Sequence, residues 1–362
     1  MKYRLFSFFR SIHAWSGVAL ALLLLIISIT GVLLVWKQEY LRLVLPEARQ
    51  SFSANAESLA KIATSVEHQF AGEQINLIEF PVKNFSLTKV TFANNDLAYV
   101  DVQGNMIGRW GLNQRWEEWL FDLHHRLLLG NLGLILVGWS GLIFLLVVIT
   151  GLISFWPLRR SWREGVLLRG ITRAHLLRSH RNLGVVEALP LLVTLITGVT
   201  LAFPKQTEKY LLEPFRPEAY SLKFTEHLDD LSGSQSAGWL PSMQRALRSF
   251  QGAEIRSIQP PNAISPYRII GLQQSGEWNP QGLSKVYIDA EGGYMDMRID
   301  SQAQPISERL FKAGYALHTG RLGLGYKLLL TFSGLIAAMI CLLGFVSFIK
   351  KQLASRSQQP RT

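Results

Sequence analysis

Four histidines carry the chemistry legible in this sequence: His13, His180, His125 and His318. Each stands beside a long apolar run, in R-S-I-H13-A-W-S-G17, S-H180-R-N-L-G184, L-H-H125-R and A-L-H318-T-G. Ionisable side chains at membrane depth are costly and usually functional. One such histidine reads equally well as an interfacial polar residue, but four at matching positions point to ligation. Imidazole commonly ligates haem iron, and bundles hold cofactors between facing helices. Two ligands per site are too few for a structural zinc, which takes four. Two imidazoles complete a haem iron. No C-x-x-C-H occurs, so the expected cofactors are two haem b, bound non-covalently.

Gly17 and Gly184 follow His13 and His180 by one turn, on the same helical face, where they would leave clearance for a flat ring. Gly130 and Gly133, and Gly323 and Gly325, could serve likewise at the other pair. Arg126 and Arg321, and on the opposite side Arg10 with Arg178 or Arg181, could pair with propionates or act as interface anchors. His124 precedes His125; the repeat described below selects His125 and leaves His124 as the alternative. His175 falls outside that register, and His68 and His227 lack metal-ligand neighbours at useful spacing. Glu187, two turns beyond His180, could tune a cofactor, carry a proton, or reach interfacial water. Trp15, Trp36, Trp139 and Trp156 read as aromatic-belt anchors, and the single cysteine, Cys341, as a packing residue.

The elements that must position these residues are apolar helices. Of 362 residues, 48% are hydrophobic, and four segments approach the roughly 20 apolar residues that span a bilayer: Val18–Trp36, Leu127–Leu158, Leu183–Phe203 and Leu328–Ile349. Only Glu187 interrupts them with a charge. The second is longer than one span needs and is expected to tilt or project. The first is too long for a cleaved signal peptide, and Ala54-Asn55-Ala56 lies too far downstream to be its cleavage site, so retention is expected. The net charge of +11 is concentrated in Lys2, Arg4 and Arg10, in the arginine-rich stretch between the second and third spans, and in the tail from Lys350. That positive-inside pattern places both termini in the cytoplasm and two longer segments outside. It also accounts for the basic excess without a nucleic-acid partner.

The chain reads as one unit written twice. Thr30-Gly31 follows His13 at the spacing with which Thr197-Gly198 follows His180. Tyr99-Val-Asp-Val-Gln-Gly104 matches Tyr287-Ile-Asp-Ala-Glu-Gly292, and Ser140-Gly141 and Gly151 match Ser333-Gly334 and Gly344. The expected fold class is a membrane all-α four-helix bundle with two inserted α+β periplasmic domains. Its boundaries are residues 1–36 for the N-terminus and first span, 37–118 for the first periplasmic domain, and 119–158 for the second span. Residues 159–182 form a cytoplasmic loop and the start of the third helix, and 183–204 the third span. The second periplasmic domain covers 205–310, the fourth span 311–349 and the cytoplasmic tail 350–362. His125 and His318 would then open the second and fourth spans. In the outer domains, Leu97–Val102 and Lys285–Asp289 alternate as half-buried strands, with turns at Gly104-Asn105 and Gly292-Gly293. Helices are expected at Ala56–Phe70 and Ser242–Phe250.

The histidine motifs, with T30-G31, S140-G141, T150-G151 and T197-G198, resemble the PepSY-associated transmembrane-helix family of bacterial inner-membrane proteins, which includes ferric-siderophore reductases. The resemblance covers nearly the whole chain. The membrane motifs are fairly specific, whereas the Y-x-D-x-x-G turns are weak alone. It implies an inner haem on His13 and His180, an outer haem on His125 and His318, and electron passage to a periplasmic ferric siderophore. Reduction to Fe²⁺ would release the metal from oxygen donors. No dinucleotide fingerprint or P-loop occurs, and Gly320-Arg-Leu-Gly323-Leu-Gly325 has the wrong spacing, so the donor would be a cytoplasmic flavin or flavin reductase, or quinol. Two other readings remain: a non-redox membrane protein whose outer domains bind a ligand or restrain a protease, and a transporter of siderophore or haem.

Overall fold

Long apolar runs form helices because, in a bilayer, every backbone polar group must be satisfied within its own segment. The computed structural model describes residues 2–156, 170–216, 238–262, 265–290 and 295–357. In chain order its elements are α1 (Lys2–Val35), α2 (Lys37–Val44), α3 (Ala56–Gln69), β1 (Ile75–Glu79), β2 (Thr88–Phe92), β3 (Leu97–Val100), β4 (Met106–Trp110), α4 (Trp116–Arg126), α5 (Gly130–Phe155), α6 (Arg173–Ala202) and α7 (Pro204–Thr207). They continue with α8 (Trp239–Ser249), β5 (Glu254–Gln259), β6 (Tyr267–Gln273), β7 (Ser284–Asp289), β8 (Met295–Ile299), α9 (Ile306–Thr319) and α10 (Leu324–Ser357). His227, the Gly292-Gly293 turn and the arginine-rich stretch 159–169 lie outside the described residues.

The chain divides into two compact units. A helical unit comprises Met1–Trp36, Leu120–Pro204 and Leu317–Thr362; a sheet unit comprises Lys37–Trp119 and Lys205–Ala316. In the helical unit, α1, α5, α6 and α10 are long and apolar enough to cross a membrane. α1 packs mainly against α5 and α10, and α6 packs against the same two. Their outward leucines are bare: Leu22 is 68% exposed and Leu189 73%, as expected of side chains that face lipid. Inward contacts are close where the residues are small. A β-carbon at Gly141 would lie 2.9 Å from Val199 Cγ2, and one at Gly334 2.5 Å from Val32 Cγ2, so these two glycines let helix backbones approach.

The run Leu127–Leu158 is not the single tilted helix expected. α4 ends at Arg126, the chain turns through Leu127 (φ 52°) and Leu128 (φ 60°), and α5 starts at Gly130. The second half does the same: α9 ends at Thr319, Gly320 (φ 76°) and Gly323 (φ 110°) reverse the chain, and α10 begins at Leu324. His124, His125 and His318 therefore close short preceding helices instead of opening the spans. The break is physical, because left-handed backbone at Leu127 and Leu128 cannot continue a right-handed helix. Gly130 and Gly323 belong to these turns, Gly130 with φ 58°, and Gly133 stands in the first turn of α5, where a β-carbon would overlap the Arg126 carbonyl.

In the sheet unit, each α+β segment is a helix followed by four strands, and the eight strands share one antiparallel sheet in the order β4-β3-β2-β1-β5-β6-β7-β8. The join is the β1–β5 pair, with Ile78 opposite Ile258. α3 and α8 pack on each other, and their apolar stripes close one core with the strands. Ile62, Ala63 and Val66 of α3 and Met243 and Ala246 of α8 meet Ile78, Val90, Ile258, Ile270 and Ile288. Leu97–Val102, expected as a half-buried strand, is buried on both faces: Ala98 and Val100 point into this core, and Tyr99 packs on the other side against Leu41, Phe85 and Leu87.

The Tyr99–Gly104 turn explains its own residue types. Asp101 Oδ1 accepts from the Gln103 and Asn105 amides at 2.9 and 2.8 Å, and Gly104 takes φ 91° while its carbonyl accepts from Ser65 Oγ at 2.9 Å. A β-carbon at Gly104 would lie 2.8 Å from that serine. Gly104→Val should therefore destabilise the sheet unit by about 1–3 kcal/mol, seen as a lower melting temperature of the detergent-solubilised protein. Unchanged melting would show that the turn relaxes freely.

Candidate functional site

The helical unit brings four imidazoles together as two pairs. His13 of α1 and His180 of α6 face each other with ring centres 5.8 Å apart and planes at 67°. His124 of α4 and His318 of α9 form the second pair, 6.2 Å apart at 51°. The repeat register selected His125 for that place; the structure puts His124 there. His125 instead lies against Phe121, with ring centres 5.2 Å apart. Adjacent residues on a helix point about 100° apart, so only one of the two can face His318, and the orientation of α4 decides which.

Each ring is seated on a neighbouring helix in the same way. His13 Nδ1 donates to the Val147 carbonyl of α5 at 2.9 Å, and His180 Nδ1 to the Ile340 carbonyl of α10 at 2.9 Å. His318 Nδ1 lies 3.2 Å from both the Thr194 carbonyl and the Thr197 hydroxyl of α6. His124 bonds the Ile27 carbonyl and the Thr30 hydroxyl of α1, the latter at 2.9 Å. In every case the accepting carbonyl is one turn before a glycine. A β-carbon at Gly151, Gly344, Gly31 or Gly198 would stand 2.9, 3.1, 3.1 or 3.0 Å from Cε1 of His13, His180, His124 or His318. The missing side chain lets the imidazole reach the helix backbone.

This seat, missed in the sequence reading, was marked by the Thr-Gly pairs and Gly344. They stand out in the sequence as repeat landmarks, whereas clearance for a flat ring is expected at Gly17 and Gly184. Those two lie beside the pair without touching a ring: a β-carbon at Gly17 would meet only Val147 Cγ1, at 3.9 Å, and one at Gly184 nothing within 4 Å. The threonine hydroxyls also donate to their own helix, Thr30 to Ile26 at 2.8 Å, Thr150 to Leu146 at 2.9 Å and Thr197 to Val193 at 2.8 Å. Each of these three hydroxyls thereby has an acceptor in its apolar surround.

The donor set fits a bis-imidazole haem. A carbonyl can only accept, so Nδ1 carries the proton and Nε2 keeps the ligating lone pair, as in a metal-bound histidine whose other ring nitrogen donates to a carbonyl. Two such nitrogens about 2 Å from a shared metal put their ring centres roughly 6 Å apart, which both pairs match. Among the described residues no three His, Cys, Asp or Glu side chains gather as a metal site, so each pair would hold the iron of a cofactor that brings its other ligands. Gly184 opens space beside the first pair. Next to the second, Arg126 has a buried Nε without a hydrogen-bond partner, suited to a carboxylate. Arg321 follows the turn at Gly320 and is half-buried. Arg181 Nε donates to Asn182 Oδ1 at 3.0 Å.

The remaining candidates separate from the pairs. His175 sits in the first turn of α6, where its amide donates to the capping Thr172 hydroxyl at 3.4 Å. His68 is an exposed residue of α3 in the sheet unit. Glu187 is buried in α6 and accepts a hydrogen bond from Ser333 of α10. Cys341 is buried and packs with Leu24, Phe144 and Val147. Trp15, Trp139 and Trp156 are exposed, and Trp36 Nε1 donates to Thr331 at 2.9 Å.

A comparison with curated proteins finds no match. The model of the family described as the PepSY-associated TM region matches residues 10–351. That range holds both histidine pairs, their four glycine seats and the eight-stranded sheet. This membrane protein belongs to the PepSY-associated TM family.

Proposed function

We propose that this chain is an inner-membrane di-haem b oxidoreductase that carries electrons across the bilayer and reduces a periplasmic ferric siderophore, releasing Fe²⁺. The observation that carries the proposal is the pair of facing histidine pairs, each with Nδ1 tied to a helix carbonyl. On this reading His13 and His180 hold the inner group and His124 and His318 the outer. The four spans form a bundle made by internal duplication, with both termini in the cytoplasm and the sheet unit in the periplasm.

Bound haem supplies a one-electron carrier cycling between Fe³⁺ and Fe²⁺. The protein's own residues do the rest. The carbonyls of Val147, Ile340, Thr194 and Ile27 fix each imidazole's tautomer and direction and raise its basicity as a ligand. The glycine seats hold each ring against a rigid helix, so the two pairs keep their separation. From His180 to Thr194, against which His318 lies, the rise along α6 is about 20 Å at 1.5 Å per residue. That covers most of a hydrocarbon core of about 30 Å. The apolar walls around the pairs exclude water, and Arg126 is placed to hold a propionate. Acceptance of one electron turns chelated Fe³⁺ into the softer Fe²⁺, which oxygen donors hold less well. A cytoplasmic flavin or flavin reductase, or quinol, supplies the electrons.

The purified protein should show a low-spin b-type spectrum, reduced by dithionite, at roughly two haems per chain; no Soret band would refute the reading. His13→Ala and His318→Ala should each remove about one haem and spare the other. His124→Ala should match His318→Ala, whereas His125→Ala should keep both haems. If instead His125→Ala loses the outer haem, the ligand assignment is wrong. Gly151→Val, which drives a side chain into His13, should lower inner-haem occupancy with little loss of folded protein. Transfer itself is read by capture of Fe²⁺ with a ferrous chelator from a ferric siderophore added on the periplasmic side.

A further inference from the structure

Glu187 is the single charged side chain inside the four apolar segments, and neither ligation nor docking uses it. It is 2% exposed, on α6, and its carboxyl accepts from Ser333 Oγ on α10. Ser333 is itself 4% exposed. Along α6 it lies about 10 Å beyond His180 and about 10 Å before Thr194, the residue that seats His318, at 1.5 Å per residue. The group is thus midway between the two histidine pairs. Pro190 lies inside the same helix. Having no N–H, it leaves the Val186 carbonyl, beside Glu187, without its intrahelical donor, a second polar feature at the same level.

A carboxylate with one serine for company and no counter-charge is expensive in such a place. The helices packed against α6 offer none. α5 carries no titratable side chain between Gly130 and Phe155. On α10, Tyr326 and Lys327 lie nearly two turns from Ser333 on one side and Cys341 about two turns on the other, and on α6 the nearest titratable groups are His180 and Arg181. The charge state of Glu187 must therefore respond to charge arriving at either pair, because a low dielectric screens little over about 10 Å.

We infer that Glu187 is the proton acceptor coupled to electron entry: the first electron added to the helical unit is accompanied by one proton, drawn from water, on the Glu187 carboxylate. Reoxidation returns the electron to the ferric chelate and the proton to water. Ser333 is the positioning residue that holds the carboxyl in both states. The coupling keeps the net charge of the membrane interior unchanged, so the second electron meets no accumulated repulsion. The inference rests on the di-haem reading.

The test is a spectroscopic redox titration of the full-length haem-loaded protein at several pH values. In the wild type at least one midpoint potential should fall as pH rises, towards a limit of about 59 mV per tenfold change in proton concentration for one proton per electron. In Glu187→Gln the slope should flatten at unchanged haem content, and Ser333→Ala should shift the pH range of the slope. A redox-induced infrared difference spectrum of the wild type should show a carboxyl C=O band that moves in D₂O, a readout that survives if the variant fails to fold. A flat wild-type slope, a slope unchanged in Glu187→Gln, or no carboxyl band would overturn the inference while the di-haem reading stands. A wild type without a Soret band would overturn both.

Discussion

One contact recurs four times and orders the helical unit: an imidazole N–H bonded to a helix carbonyl one turn before a glycine. In an apolar surround an unmatched N–H is costly, so each histidine needs an acceptor. The only abundant acceptors are backbone carbonyls on neighbouring helices. A side chain at the glycine position would cover that carbonyl. Placing glycine at Gly31, Gly151, Gly198 and Gly344 therefore does two things, satisfying Nδ1 and holding each ring beside a second histidine.

The same contact sets which helices must be neighbours. His13 of α1 leans on α5, and His180 of α6 leans on α10, so a pair formed across α1 and α6 also ties in the other two. At the opposite end the rings come from α4 and α9, and the seats from α1 and α6. Every spanning helix is a donor or a seat. This explains why α4 and α9 stop where they do. A helix running straight into its span would carry its histidine away from the seat, whereas the left-handed break at Leu127–Leu128 or Gly320 lets a short helix end with its histidine turned inward.

Within the sheet unit the governing constraint is different. Four strands and one helix give a small core, and edge pairing of β1 with β5 joins two such sets so that α3 and α8 close one larger core. Small domains bury proportionally less surface, so sharing a sheet is the more stable arrangement. It also covers two sheet edges that would otherwise stand open.

The sequence by itself determined the apolar spans, the strands around Tyr99 and Tyr287, and the set of residues able to ligate. These depend on local composition and spacing, which a chain displays directly. His13, His180 and His318 were legible because each stands in a repeated motif with a glycine near it. Only the tertiary structure turns His124, and not His125, toward His318, since that orientation depends on the rotation of α4, which spacing does not encode. It also showed which glycines the imidazoles rest on, Gly31, Gly151, Gly198 and Gly344. A glycine's partner across a helix interface is set by packing, and sequence neighbours share a helix while the seat lies on another.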